Sequence, residues 1–170
     1  VTVFVNCEEK MATLLVTGGA GFIGSCYVLA RCAAGDTVVN LDKLTYSGNL
    51  GNLVSLHGCP RHIFVHGDIG NAELVEYLLK NYQPNAVINF AAESHVDRSI
   101  IDPEAFVRTN VLGTCTLLRA VKTWWSELGM NEKAAFRFLH VSTDEVFGAL
   151  QPGDPAFTEM TPYSPNSPYS

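Results

Sequence analysis

The sequence predicts one α/β domain, built on a parallel sheet with helices on both faces. Short apolar runs that fit buried strands alternate with longer segments whose apolar residues recur at helical spacing. A glycine-rich segment follows the first of these runs and opens the first helix. Runs that are apolar throughout indicate a sheet covered on both faces. Right-handed crossovers then favour a doubly wound sheet with the strand order 3-2-1-4-5.

Five strands and the helices between them follow one another along the chain. The strands are predicted at residues 13–17, 37–41, 63–65, 86–90 and 136–141. Helices are predicted at 22–33, 50–56 and 72–80. A long helix then begins at Asp102-Pro103, read as an N-cap followed by proline at the first helical position. It carries a stripe of residues at a spacing near 3.6, namely Val107, Val111, Thr114, Leu118, Val121 and Trp125. From Gln151 onward, proline, serine and glycine indicate loop.

Composition excludes several classes of protein. With 170 residues, of which 47% are hydrophobic and 16% charged, the chain fits a globular domain with a sizeable core. The net charge of −6 provides no basic footprint for nucleic acid or for an anionic membrane. No apolar run approaches the roughly 20 residues that cross a bilayer. Five scattered cysteines without a C-x-x-C motif favour reduced packing thiols in a cytoplasmic protein over zinc or disulfides.

The first ten residues differ in character from the rest of the chain. They lack the basic start and the long apolar core of a secretory signal. Met11 stands just before the first convincing strand. We therefore expect residues 1–10 to be an upstream extension and residues 11–170 to be the domain.

The glycine segment fits a dinucleotide-binding loop. Gly18, Gly21 and Gly24 recur at three-residue spacing between the first strand and the first helix. Glycines there allow a tight turn and let the backbone approach a pyrophosphate, whose charge the amides at the helix N-terminus would meet. Glycines alone are also typical of a tight structural turn.

Asp42 strengthens this interpretation. It ends the second strand, 18 residues after Gly24, where a carboxylate would bond both ribose hydroxyls and repel a 2′-phosphate. NAD is therefore favoured over NADP, although the neighbouring Lys43 opposes that preference. The alternative for Asp42 is a solvated loop acid.

The exits of the third and fourth strands offer further contacts. After the third strand, Asp68 would reach an adenine amino group while Ile69 packs on the ring; an acid that caps the next helix is the alternative. After the fourth strand, Ala91 and Ala92 would let a cofactor lie against the backbone. His95 is either a substrate contact or a polar loop residue.

The acids after the fifth strand indicate proton transfer. Asp144 and Glu145 are adjacent, and neighbouring carboxyl groups in a partly desolvated crevice titrate apart, which suits an acid and a base. An acidic turn is the alternative. Thr143 would donate to a sugar oxygen or satisfy a backbone group. Tyr169 lies in a proline-rich tail, where the pattern alone favours a surface residue.

Together these segments resemble the dTDP-glucose 4,6-dehydratases, extended short-chain dehydrogenases/reductases of deoxysugar synthesis. The resemblance runs from around Met11 to Ser170. Its matching segments are residues 17–25, 40–50, 89–98, 140–148 and 161–170. The glycine loop is common to the whole superfamily, whereas residues 41–50 and 142–145 are more specific.

The resemblance implies a Rossmann domain, bound NAD and dTDP-glucose as substrate. The residue matching Tyr169 takes the C4 hydroxyl proton and also contacts the cofactor, while the hydride passes to NAD and later returns to C6. Glu145 matches the base that removes the C5 proton, and Asp144 the acid that protonates the departing C6 hydroxyl. Thr143 and His95 match sugar contacts. Positions matching NAD contacts are Phe22, Ile23, Asp42, Lys43, Leu44, Thr45, Asp68, Ile69, Ala91, Ala92, Glu93, Ser94 and Thr109. A homodimer through the long helix is implied for the full-length protein.

The chain departs from the family pattern at its end. The lysine of Tyr-x-x-x-Lys would lie three residues beyond Ser170, and a sixth strand and a C-terminal substrate domain are expected beyond that. We therefore expect an N-terminal fragment that is nearly inactive alone. Three alternatives stay open: a UDP-hexose 4-epimerase, which needs no C5 base or C6 acid; a GDP-mannose-type dehydratase, which would prefer NADP; and a non-catalytic NAD-binding module.

Overall fold

Five parallel strands form the central sheet of the computed structural model, which describes residues 11–170. The predicted extension, residues 1–10, lies outside the described residues. The sheet has the order β3-β2-β1-β4-β5, so the predicted doubly wound order is confirmed. The strands are β1 Thr13–Thr17, β2 Thr37–Asp42, β3 His62–His66, β4 Ala86–Asn89 and β5 Arg137–His140.

Strands β1, β2 and β4 are buried on both faces, as the continuous apolar runs predicted, whereas the edge strand β5 is largely exposed. Successive side chains of a strand point to opposite faces, so Leu15 and Leu14 of β1 belong to different cores. Leu15 packs with Leu79 and Leu117 on one face. Leu14 packs with Val28 on the other. Because the strands are parallel, their carboxyl ends all lie at one edge of the sheet, between the two helical layers.

The helices match the predicted positions, with additions. They are α1 Phe22–Ala33, α2 Ala72–Tyr82, α3 Val96–Ile101, α4 Pro103–Phe106, α5 Thr114–Glu127 and α6 Met130–Ala135. The 3₁₀ helices are Leu50–Leu56, as predicted, and Asp144–Phe147. The sequence did not predict α3 and α6, which have six residues each and are too short for a helical period to register. None of the described helices has both the length and the apolarity needed to cross a membrane.

The long helix differs from its prediction in register. A π-helical segment, Val107–Gly113, separates α4 from α5. Each π turn holds an extra residue, and of the predicted stripe only Val121 is buried in the core. The core takes Phe106, Leu117, Ala120, Val121 and Trp124, whereas Val107, Val111, Leu118 and Trp125 are exposed. Pro103 occupies the first turn as predicted, but the side chain of Asp102 makes no capping hydrogen bond.

The cysteines follow the packing prediction only in part. Cys32 is buried in the core, and this burial is the main reason why the pKa of its thiol is raised. Cys26 and Cys115 are exposed, so the packing role predicted for them is wrong. The four thiols among residues 11–170 are all free, while Cys7 lies outside the described residues.

Candidate functional site

The glycine loop connects β1 to α1 and packs directly on the exit of β4. Gly18 has a φ of +71°, and a Cβ there would lie 2.6 Å from the backbone N of Ala91. A side chain at Gly24 would meet the carbonyl oxygen of Gly18. These contacts leave no room for side chains, so the backbone of the loop itself lines the crevice at the carboxyl edge of the sheet. Phe22 and Ile23 follow on the first turn of α1 and are largely exposed.

Asp42 is the charged group closest to this loop, and it is not a solvated loop acid. Its side chain is buried, with 7% of the residue exposed. One carboxylate oxygen accepts from the backbone N of Ala20 at 2.8 Å, and the other from the backbone N of Leu44 at 2.8 Å. Each oxygen keeps a second lone pair for a ligand hydroxyl. Asp42 thus holds the glycine loop to the loop after β2 and faces the crevice as an anionic acceptor.

Lys43 and Asp68 form an ion pair across the exits of β2 and β3. The Lys43 Nζ lies 2.6 Å from one Asp68 oxygen, and the other oxygen accepts from the backbone N of Gly70 at 2.8 Å. Burial would raise the pKa of Asp68, but the hydrogen bond and charge of Lys43 and the Gly70 amide together lower it. Asp68 does not cap α2, because the side chain of Asn71 accepts from Leu74 there. Because Lys43 is already paired with Asp68, its charge is not free to bind a 2′-phosphate.

Most predicted cofactor residues line one small pocket. It lies at the exits of β2, β3 and β4, beside the long helix. Its predicted members are Asp42, Lys43, Thr45, Asp68, Ile69, Ala91, Ala92, Glu93 and Thr109, and Leu41 and Gly67 complete it. We call it the adenosine-side pocket, after the half of a dinucleotide that the sequence predicts there. Leu44, with a left-handed φ of 54°, and the exposed Ser94 do not line it.

The π-helical segment holds one wall of this pocket in place. Asn110 lies in that segment, and its amide accepts from the backbone N of Glu93 and donates to the carbonyl oxygen of Glu93, each at 2.8 Å. The neighbouring Thr109 lines the pocket. Both backbone groups of Glu93 are thereby fixed by a single side chain. π-bulges are frequent at functional sites, and this one carries the amide that holds Glu93.

A second pocket lies beyond Ala91 and Ala92, between the exits of β4 and β5. Both alanines line it as well as the first pocket, so the two adjoin. Its other walls are Asn110, Thr114, His140, Val141, Ser142, Thr143, Val146, Tyr169 and Ser170. Thr143 and Tyr169, distant in sequence, therefore line one pocket. The ring of Tyr169 also packs edge-on to Phe106, with centroids 6.2 Å apart.

Three of the five predicted catalytic and substrate-binding residues stand outside this second pocket. Asp144 and Glu145 begin the 3₁₀ helix that follows Thr143, and the Thr143 hydroxyl accepts from the Glu145 backbone N at 3.2 Å. Asp144 is exposed and Glu145 is half-buried. His95 is exposed at the start of α3, makes no capping hydrogen bond and lines none of the pockets described above. His95 and Thr143 therefore share none of these pockets.

Several functional candidates were missed from the sequence. Asn110, Asn89 and His140 hold their places through hydrogen bonds to residues far away in the chain. Only Asn110 offered a sequence signal, as an amide in the middle of a helix. Arg98 also went unnoticed; its guanidinium lies 4.2 Å from the ring centroid of Tyr46, joining α3 to the loop after β2.

Comparisons with known proteins agree with this arrangement. Residues 15–170 match the family model described as GDP-mannose 4,6 dehydratase. The dTDP-glucose 4,6-dehydratase of Xanthomonas campestris pv. campestris (strain B100) is 62% identical over 161 residues, covering 94% of this chain and 45% of that protein. The chain thus spans about half the length of the curated relatives it matches.

Solved structures show the same similarity. The DesIV dTDP-glucose 4,6-dehydratase from Streptomyces venezuelae, with NAD and TYD bound, is 45% identical with a TM-score of 0.81; the match covers 92% of this chain and 47% of that one. The UDP-glucose 4-epimerase of Thermus thermophilus in complex with NAD is 31% identical with a TM-score of 0.76, over 92% of this chain and 46% of that one.

Proposed function

The chain belongs to the family whose model is described as GDP-mannose 4,6 dehydratase, and we propose that its protein is an NAD-dependent dTDP-glucose 4,6-dehydratase. Two adjoining pockets at one edge of the sheet carry this proposal. The adenosine-side pocket contains the buried Asp42, and the second contains Thr143 and Tyr169. Ala91 and Ala92 join the two, as a dinucleotide that runs from one to the other requires.

The described residues fit NAD. Gly18 leaves no room for a side chain between the loop and Ala91, so the phosphates would meet backbone amides at the start of α1. Phe22 and Ile23 would contact the cofactor there. The free lone pairs of Asp42 suit the two adenosine ribose hydroxyls.

NAD is proposed over NADP for an electrostatic reason. A 2′-phosphate would stand beside the buried carboxylate of Asp42, with which it shares its sign of charge. Lys43 would have to leave Asp68 in order to compensate. The same argument disfavours a GDP-mannose-type enzyme that uses NADP.

The reaction uses the groups around the second pocket. When bound, NAD accepts a hydride from C4 of the sugar and supplies one to C6. Tyr169 takes the proton of the C4 hydroxyl, and the resulting C4 ketone acidifies the C5 proton. Glu145 removes that proton and returns it to C5 when the hydride adds to C6, while Asp144 protonates the C6 hydroxyl so that it leaves as water. Thr143 accepts from the Glu145 backbone, which leaves its own proton free for a sugar oxygen.

The adjacent acids favour a dehydratase over an epimerase. Epimerisation at C4 needs no base at C5 and no acid at C6, so Asp144 and Glu145 would have no task. The higher identity to dehydratases, 45% against 31% among the structures compared, points the same way.

Assembly and location complete the proposal. An exposed apolar stripe of Val107, Val111, Leu118 and Trp125 on the long helix supports a homodimer through that helix in the full-length protein. Four free thiols among the described residues suit the reducing cytoplasm.

The test is turnover of dTDP-glucose by protein expressed from the complete gene. The alkali-induced absorbance of a 4-keto sugar should appear, and it should fall to background when Asp144→Asn and Glu145→Gln are combined. Glu76→Gln, an exposed carboxylate on α2, serves as the control. An epimerase or a non-catalytic NAD-binding module would give no such absorbance in any variant. Undiminished absorbance in the double variant would refute the assigned roles.

A further inference from the structure

Three polar side chains form a row across the carboxyl edge of the sheet. They are Thr17, Asn89 and His140, the last residues of β1, β4 and β5, and they are paired in register. The Thr17 hydroxyl donates to the Asn89 carbonyl oxygen at 2.5 Å, and the Asn89 Nδ2 lies 2.9 Å from the His140 Nδ1. Thr17 and Asn89 are fully buried, whereas His140 is exposed. The row therefore runs from the core out to a histidine at the surface.

The hydrogen-bond directions in this row assign one tautomer to the neutral His140 ring. Because the Asn89 carbonyl oxygen accepts from Thr17, its amide nitrogen faces the histidine and can only donate. The His140 Nδ1 must then hold a lone pair, so the ring proton is on Nε2. A buried hydroxyl thus sets the tautomer of an exposed imidazole through one amide. The Nε2–H group is left without a role inside this row.

His140 also lines the second pocket, opposite the backbone of Ala91 and Ala92. Asn110, Thr114 and Tyr169 line the same pocket, and the Thr114 hydroxyl is buried with no partner among the described residues. The pocket adjoins the adenosine-side pocket, so the half of a dinucleotide that enters it is the nicotinamide riboside. That half carries ribose hydroxyls and a carboxamide, all of which offer acceptor oxygens.

We propose that His140 is a further cofactor-binding residue, whose Nε2–H donates to an oxygen of the nicotinamide-riboside half of NAD. Thr17 and Asn89 are positioning residues that hold the ring in the donating tautomer. This inference rests on the proposed binding of NAD, and it concerns only the half of the cofactor beyond the diphosphate. ADP, which ends at the diphosphate, should be insensitive to His140.

Titrations with ADP, ADP-ribose and NAD on protein expressed from the complete gene test this contact. His140→Leu should weaken NAD about fivefold, the ratio expected for one net hydrogen bond, and leave ADP as in the wild type. His140→Gln, which keeps an N–H donor, should recover part of the loss. A loss shared by ADP-ribose assigns the contact to the ribose, and a loss confined to NAD assigns it to the carboxamide. His57→Leu, at an exposed histidine outside both pockets, is the control.

A separate NMR measurement tests whether Thr17 and Asn89 hold His140 in the donating tautomer. Nitrogen NMR of the wild type should show an unprotonated Nδ1 and a protonated Nε2 on His140, and Thr17→Val should mix the tautomers while Thr17→Ser restores them. A protonated Nδ1 in the wild type, or a His140→Leu loss that is absent or equal for ADP and NAD, would overturn the inference. Failure of the wild type to bind ADP or NAD would instead overturn the proposed NAD function, and the contact with it.

Discussion

Replacing Asp42 by asparagine would leave one backbone donor without an acceptor and remove a charge from the cofactor crevice. The carboxylate now accepts from Ala20 and from Leu44, each at 2.8 Å, while 7% exposed. An asparagine has a single carbonyl oxygen, so its NH₂ group must face one of the two amides. One bond is lost and one buried donor is left unsatisfied. The free energy of unfolding should fall by about 1–3 kcal/mol.

The effect on ligands should be larger for NAD than for NADP. Asp42 is proposed to accept charge-assisted hydrogen bonds from the adenosine ribose, each of which contributes about 1.5–3 kcal/mol. Loss of one of them weakens NAD by roughly ten- to a hundredfold. NADP loses the same acceptor but escapes the repulsion between its 2′-phosphate and the carboxylate. The affinity ratio of NAD to NADP should therefore fall by at least about tenfold.

The assay is a pair of calorimetric titrations, with NAD and with NADP, on the wild type and on Asp42→Asn at one ionic strength. Thermal unfolding of the same samples reports the stability loss separately. Glu76→Gln, which also removes one negative charge but lies exposed on α2, controls for net charge. An unchanged ratio of NAD to NADP affinity in Asp42→Asn would refute the reasoning about the carboxylate.

Two further changes test the walls of the crevice. Gly18→Ala should destabilise the fold and weaken NAD binding far more than Gly58→Ala, because both glycines have positive φ but only at Gly18 would the Cβ lie 2.6 Å from Ala91. Gly58→Ala should cost only the left-handed strain of about 1–2 kcal/mol in thermal unfolding, and equal losses would contradict the packing argument. Lys43→Met should raise the pKa of Asp68 in a carboxyl NMR titration, because Lys43 helps to lower it. The ion pair stabilises the fold at pH values above the ordinary Asp pKa of 3.8, and this stabilisation is lost as the pH falls through the lowered pKa of Asp68. Since both groups are partly exposed, the free energy of unfolding of the wild type in urea at pH 7 should exceed that of Lys43→Met by no more than about 1 kcal/mol.

The sheet and the adenosine side of the site were predictable because their determinants are local. Apolar runs and glycine spacing indicated the strand order, and Asp42 could be placed because the end of β2 necessarily lies beside the loop after β1. Nine predicted residues line one pocket for the same reason, since strand exits share one edge of a parallel sheet.

The rest depended on contacts that spacing does not encode. A π-helical segment interrupts the long helix, and of the stripe read at a spacing near 3.6 only Val121 is buried in the core. The Asn89–His140 hydrogen bond joins residues 51 positions apart, and its existence requires β4 and β5 to pair in one register. The position of His95 after the fourth strand left its role open between a substrate contact and a polar loop residue, and His95 does not line the pocket that contains Thr143.

Transfer of a hydrogen between two carbons of one sugar tests the central claim most directly. Protein expressed from the complete gene would be incubated with dTDP-glucose deuterated at C4, and the product examined by NMR and mass spectrometry. A dehydratase should give a 4-keto-6-deoxy sugar with the deuterium at C6. Deuterium retained at C4 of a hexose would identify an epimerase, and recovery of the substrate alone would contradict the proposed enzyme.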